Sequence, residues 1–250
     1  MIARVIGLRV LRELAFTPKA LLWLPISSVA LSVLVYLFLT SAELSILDQK
    51  TMMFMTAQAV VLLGLLAVTV TAADAVAGER ERGRLEPLLA APVVSSQLLG
   101  GYLTGALAMW AATAIISLPY FMVVSSGSGG FFVSAAYFLG AGSLLAVGMA
   151  AWTIGVSARV PTVRTSLLLA LIVYAGLTAP ALLGSSLRTN WLGRAYDAVN
   201  PFANVMNTLD SVIIDEQGFA VQRMRLKALT VFAGTGLLFG WWRLTGVALE

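Results

Sequence analysis

The chain has no cysteine and no histidine in 250 residues, and only 11% of its residues are charged. Without cysteine there is no disulfide framework and no thiolate site for metal or redox chemistry. Without histidine the commonest general base and metal ligand is gone. The Ser-His-Asp triad and the histidine zinc-protease motifs go with it. Lysine is scarce too, at Lys19, Lys50 and Lys227 only. Only Lys50 precedes a serine or threonine, Thr51, and Gln49 stands where a phosphate-binding loop needs glycine. The chain therefore cannot bind and hydrolyse ATP through that motif. No lysine falls inside an apolar run, which leaves no intramembrane Ser-Lys dyad.

What is present is apolar. Hydrophobic residues make up 59% of the chain, and the mean hydropathy is +0.91. A soluble domain carries about 25% charged residues. The composition is that of an integral membrane protein, read as one all-α polytopic domain over residues 1–250. A helical span needs roughly 17–25 apolar residues to cross about 30 Å of hydrocarbon. Six runs qualify, at about 21–40, 53–73, 98–124, 131–156, 165–183 and 228–246. All are too long and too uniformly apolar for the alternating strands of a membrane barrel. Arg243 falls within the sixth and is tolerated near a helix end, where a long cation snorkels to the interface. The first run is longer than a typical signal-peptide core and lacks a good cleavage site after Thr40, so it reads as a retained span. Ahead of it, Ile2, Val5, Ile6, Arg9 and Arg12 fit an interfacial amphipathic helix, and equally the charged flank of that span.

Lysine and arginine set the orientation. With the N-terminus inside, ten cations lie in inner segments and six in outer ones. The expectation is a multi-pass cell-membrane protein with both termini cytoplasmic. The net charge of +4 reads as this bias and not as nucleic-acid binding. The one long outer segment, 184–227, carries Phe202, Val205, Met206, Leu209, Val212 and Ile213 at helical spacing after an Asn200-Pro201 start signal. A helix there is too short to span. It lies on the outer surface or re-enters the membrane, either as a lid over an exit or packed against the span ends.

Acids deep in a span would suggest ion coupling. Asp74 alone lies near one, and it reads as the watery end of the second span. Gln58 is the one amide well inside a span, suited to an interhelical hydrogen bond or to touching a substrate. Gly101-x-x-x-Gly105 and Gly236-x-x-x-Gly240 permit close helix contact, including contact between subunits. Pro25, Pro119 and Pro180 lie within spans, where they kink or end them.

Against this background the segment Ala77–Pro92 stands out, with three arginines and three glutamates between Glu79 and Glu86. Read as a helix, it pairs Arg82 with Glu86 and Glu81 with Arg84. Gly78 and Gly83 mark a break or a close contact, and Pro87 a kink or restart. Charge alone allows a solvated inner loop or a surface for a soluble partner.

The string Glu79-Arg80-Glu81-Arg82-Gly83-Arg84-Leu85-Glu86-Pro87-Leu88-Leu89-Ala90-Ala91-Pro92-Val93 resembles the signature E-R-E-R-G-T-L-E-x-L-L-x-x-P-[VI]-S. That signature belongs to the ATP-binding-cassette type 2 permease family, where it follows the second of six spans. The resemblance extends to the layout of the whole chain. It implies an N-terminal interfacial helix, a cytoplasmic coupling helix between spans 2 and 3, and short external or re-entrant helices between spans 5 and 6. It assigns Glu79, Glu81, Arg82, Gly83, Leu85 and Glu86 to docking a separate ATPase subunit, which would bind the ATP and magnesium; this chain would hold no cofactor. Arg84 stands where threonine is usual. Gly100-Gly101 is followed by Tyr102, where the family often has a basic residue. The implied complex has a second permease subunit, identical or related, set among membrane lipids with no nucleic acid, and its implied activity is export. The alternative from another class is a secondary transporter or channel working alone, against which the lack of buried acids counts. An intramembrane enzyme is a third class, disfavoured by the missing histidine and cysteine.

Overall fold

In lipid every backbone N–H and C=O must be paired within the protein, and long apolar segments meet that demand by coiling into helices. The computed structural model describes residues 18–40, 48–85, 94–125, 130–182 and 191–247, and among them there are helices and no strands. The helices are α1 (Pro18–Thr40), α2 (Gln49–Glu81), α3 (Ser95–Val124), α4 (Phe131–Ser157), α5 (Val163–Leu182), α6 (Trp191–Val199), α7 (Pro201–Ile213) and α8 (Phe219–Val247). The expected interfacial helix at 1–16 lies outside the described residues.

Four helices, α1 to α4, are long and apolar enough to cross a membrane. The expected fifth and sixth spans are helical, as α5 and α8, but do not join those four. α5 is a helix of 20 residues, and its described side chains form the apolar stretch Val163–Ala179. In α8 the cations Arg223, Arg225, Lys227 and Arg243, together with Trp241 and Trp242, dilute the hydropathy. The second span differs from expectation at its end. At 33 residues and a rise of about 1.5 Å per residue, α2 is roughly 50 Å long. Hydrocarbon accounts for about 30 Å of that, so α2 runs on well past Ala73 and carries the charged residues 79–81 on its last turn.

α4 is the hub, packed against α2, α3, α5, α7 and α8. Glycines set these contacts. The Trp110 ring of α3 lies against Gly64 of α2 and Gly142 of α4, where an added Cβ would come within 2.6 Å of ring carbons. Its indole N–H donates to Ser143 Oγ at 2.9 Å. α4 and α8 run parallel, with Phe232 in the notch of Gly148 and Phe239 in that of Gly155. From the α8 side, Gly236 and Gly240 approach the backbone oxygens of Gly148 and Ala151 to 2.9 Å from a hypothetical Cβ. The Gly236-x-x-x-Gly240 pair is thus used inside the chain, and its reading as an inter-subunit contact is corrected.

The helix expected in the outer segment is α7. Asn200 caps it by accepting from Phe202 N at 2.9 Å, and Pro201 fills the first position, where no N–H is needed. Phe202, Val205, Met206, Leu209, Val212 and Ile213 are all buried, so α7 is packed into the bundle. The turn after it is tied to the start of α2 by Lys50 Nζ to Glu216 Oε1 at 2.7 Å. The Lys50 ammonium, hydrogen-bonded to Glu216, holds that carboxyl below the usual glutamate range.

Two predictions follow from this packing. Gly148→Ala forces a Cβ to about 2.5 Å from Phe232 and should cost about 1–3 kcal/mol through overpacking. Gly234→Ala on the facing helix α8 meets nothing within 4 Å and should leave the melting temperature in detergent unchanged or raised. The second concerns acid. A carboxyl whose folded pKa is lowered contributes stability above its ordinary range and loses it as pH falls through the lowered value. The melting temperatures of the unmodified chain and Glu216→Gln should therefore differ at neutral pH and converge in acid; a constant gap would remove the ion pair from the account.

Candidate functional site

The charged end of α2 is built by three local devices. The first is an ion pair along one helix face. Arg82 Nη2 reaches Asp74 Oδ2 at 3.1 Å and Oδ1 at 3.3 Å. Gly78 stands between them on that face, where a Cβ would run into the Asp74 carboxylate and lie 3.1 Å from Arg82 Nη1. Asp74 therefore does not end the span in water. It lies inside α2, its side chain 18% exposed, with its charge compensated from two turns below.

The second device is a helix stop. Gly83 takes φ +65°, the left-handed region that side chains with a Cβ resist. Gly83 N donates to Arg80 O at 3.1 Å and Arg84 N to Glu79 O at 2.8 Å, the pair of bonds that closes a Schellman turn. Helical pairing of Glu81 with Arg84 is thereby corrected, because α2 ends at Glu81; the Arg82–Glu86 pair lies outside the described residues. Arg84 enters the turn through its backbone N–H, which threonine supplies equally well. Its departure from the family pattern leaves this turn intact.

The third device joins α2 to two neighbouring helix ends of opposite polarity. The chain breaks at Pro161-Thr162, which leaves carbonyls at the end of α4 and N–H groups at the start of α5 without intrahelical partners. Arg80 donates from Nη1 to Val160 O at 2.6 Å and from Nη2 to Ala158 O at 2.8 Å. Next to it, Glu81 Oε1 accepts from Val163 N at 2.8 Å. The cation meets the negative end of one helix dipole and the anion the positive end of the next. Just above, Ser157 Oγ enters the α2 ladder. It donates to Ala73 O at 2.8 Å and accepts from Ala77 N at 3.0 Å and Val76 N at 3.3 Å. Ser166 Oγ of α5 also donates to Ala73 O, at 2.8 Å. A side chain inserted in a helix ladder is a recognised cause of bending.

The structure thus sorts the expected site residues. Glu79 is half-buried on the last turn of α2, Arg82 and Arg84 are exposed, and Leu85 is buried just after the turn. Glu81 is exposed but caps α5. Glu86 and the rest of the segment to 93 lie outside the described residues. Gln58 is half-buried in α2, 21 residues before Glu79 and therefore roughly 30 Å along the helix; it belongs to no common site with the charged end. Arg80, Ser157 and Ser166 were missed. The break at Pro161-Thr162 was the available signal that helix ends there need capping.

Ser157 serves three backbone groups and Ser166 one. Ser157→Ala should therefore destabilise the chain by about 1–3 kcal/mol, and Ser166→Ala by less, since Ala73 O keeps its second donor. Melting of the two variants in detergent checks the ranking, and equal shifts would contradict it.

A family model described as ABC-2 family transporter protein matches residues 14–226. No curated protein matches the chain.

Proposed function

The chain belongs to the ABC-2 family of transporter proteins, and from that premise we propose that it is the permease subunit of an ATP-driven exporter, docked through residues 79–86 to a separate ATPase subunit. The observation that carries this reading is the length of α2. Its final turns extend past any hydrocarbon core and end in a charged, sharply terminated stretch. A chain without a phosphate-binding loop needs a soluble source of nucleotide energy, and this projecting end is the natural contact.

The proposal includes six spans, with α5 and α8 as the fifth and sixth. Both run beside α4, and α5 exposes Leu168, Ile172 and Val173 as a lipid- or subunit-facing surface would. Both termini are then cytoplasmic, and the Glu81 end of the bundle faces the ATPase. The family normally pairs with such a subunit. A second permease, a copy of this chain or a relative, completes a two-fold assembly with the pathway between subunits. ATP and magnesium bind the ATPase, whose closure shifts the permease between inward and outward access.

Within the segment Glu81 and Arg82 have partners inside the chain, so the test of docking falls on Glu79 and Glu86. Glu79→Lys combined with Glu86→Lys should abolish co-purification with the ATPase, and permease-stimulated ATP hydrolysis, while the permease itself stays folded in detergent. Unaltered assembly and stimulation in that variant would refute the docking role. Transport by the purified chain alone, driven by an ion gradient without ATP, would instead establish a stand-alone transporter.

A further inference from the structure

The first third of α8 carries three cations in two different settings. Arg225 turns into the protein, where its Nη1 donates to Asn207 O at 2.6 Å, Ser211 Oγ at 2.8 Å and Gln222 Oε1 at 3.0 Å. Arg223 and Lys227, four apart and so on one helix face, are exposed. Neither makes an ion pair or side-chain hydrogen bond with another described residue. Both border an open groove of about 650 Å³ between α4 and α8. Its other walls are mainly apolar, with Ala136, Gly140, Ala141 and Leu144 from α4 and Leu226 from α8. A Cβ built on Gly140 meets nothing within 4 Å, so the missing side chain leaves real width.

A cation at the edge of a bilayer attracts anionic headgroups, and here the protein supplies no counter-charge among the described residues. The apolar run of α8 begins directly after Lys227, at Ala228, so the two cations stand where the hydrocarbon gives way to headgroups. From there the groove descends along α4 to the level of Leu144 and Thr230.

We propose that the α4–α8 groove is a binding site for one anionic phospholipid. Its phosphate sits between Arg223 and Lys227, beside the open space at Gly140, and one acyl chain leaves past Leu144 and Thr230. Anionic headgroups are drawn to exposed lysine and arginine at a membrane surface, and the apolar walls take the chain. The site does not depend on the ATPase reading, since it uses only α4, α8 and a surrounding bilayer.

The test uses the full chain purified from nanodiscs of phosphatidylglycerol and phosphatidylcholine, with retained lipids counted by native mass spectrometry. The unmodified chain should retain one phosphatidylglycerol in preference to phosphatidylcholine. Arg223→Gln combined with Lys227→Gln should weaken that retention about tenfold. Gly140→Leu, which fills the groove and keeps both cations, should weaken it as well. Arg164→Gln, an exposed cation at the other end of the bundle, should leave it unchanged. Equal retention by the double variant overturns the site. Loss in the double variant with full retention in Gly140→Leu also overturns it, because that result describes surface charge without a groove. Phosphatidylcholine held as firmly as phosphatidylglycerol in the unmodified chain overturns the anionic specificity.

Discussion

The structure depends on how closely its helices can approach. Between helices in lipid there is no hydrophobic drive, because acyl chains are as apolar as leucine, so contact must come from shape. The glycine notches provide it. Trp110 reaches across α3 into Gly64 and Gly142, and Phe232 and Phe239 seat in Gly148 and Gly155. Each ring fixes a height as well as a distance. Together they set α2, α3, α4 and α8 in one register, and that register brings Ser157 level with the 73–77 step of α2. A shift of one turn, about 5.4 Å, would strand the buried Ser157 hydroxyl.

With the register fixed, the charges at the end of α2 acquire different tasks. In sequence they alternate and look equivalent. In space, Arg80 and Glu81 are turned toward the ends of α4 and α5, and Arg82 folds back over Gly78 to Asp74. A guanidinium shared by two carbonyls and a carboxylate on a helix N-terminus are charge-assisted bonds, stronger than neutral ones. Half of the cluster therefore builds the platform. The same division recurs on α8, where Arg225 is internal and Arg223 and Lys227 face outward.

Much of the bundle was legible in the sequence because apolar length is a local property. The cores of α1 to α4 follow from it, and α7 follows from Asn200-Pro201 and the spacing of its buried face. What escaped were relations between distant residues. Asp74 looked like the end of a span because the sequence does not reveal that Arg82 reaches back past a glycine. Gly236 and Gly240 read as a general contact motif because their partners lie in α4, about ninety residues earlier. Arg80 went unassigned and Glu81 read as a docking charge because the backbone groups they satisfy are 78 to 82 residues away. Gly83 was the exception. Its need for a left-handed conformation is local, and a break there was anticipated.

On the proposed reading these links decide what a push from the ATPase can move. The charged end of α2 cannot shift alone. Arg80 holds the end of α4, Glu81 the start of α5, and Ser157 and Ser166 hold both helices to Ala73. α4 in turn carries α8 through the phenylalanine notches. Displacement of one short segment is therefore delivered to four helices at that end of the bundle. At the opposite end, the described tie between the start of α2 and the α7–α8 turn is a solvent-exposed ion pair, Lys50 to Glu216, and such pairs contribute little. At that end α7 is itself buried against α2 and α4 and bonded to Arg225 of α8, so a displacement delivered at the Glu81 end is met there by packing, with the exposed pair as its weakest tie.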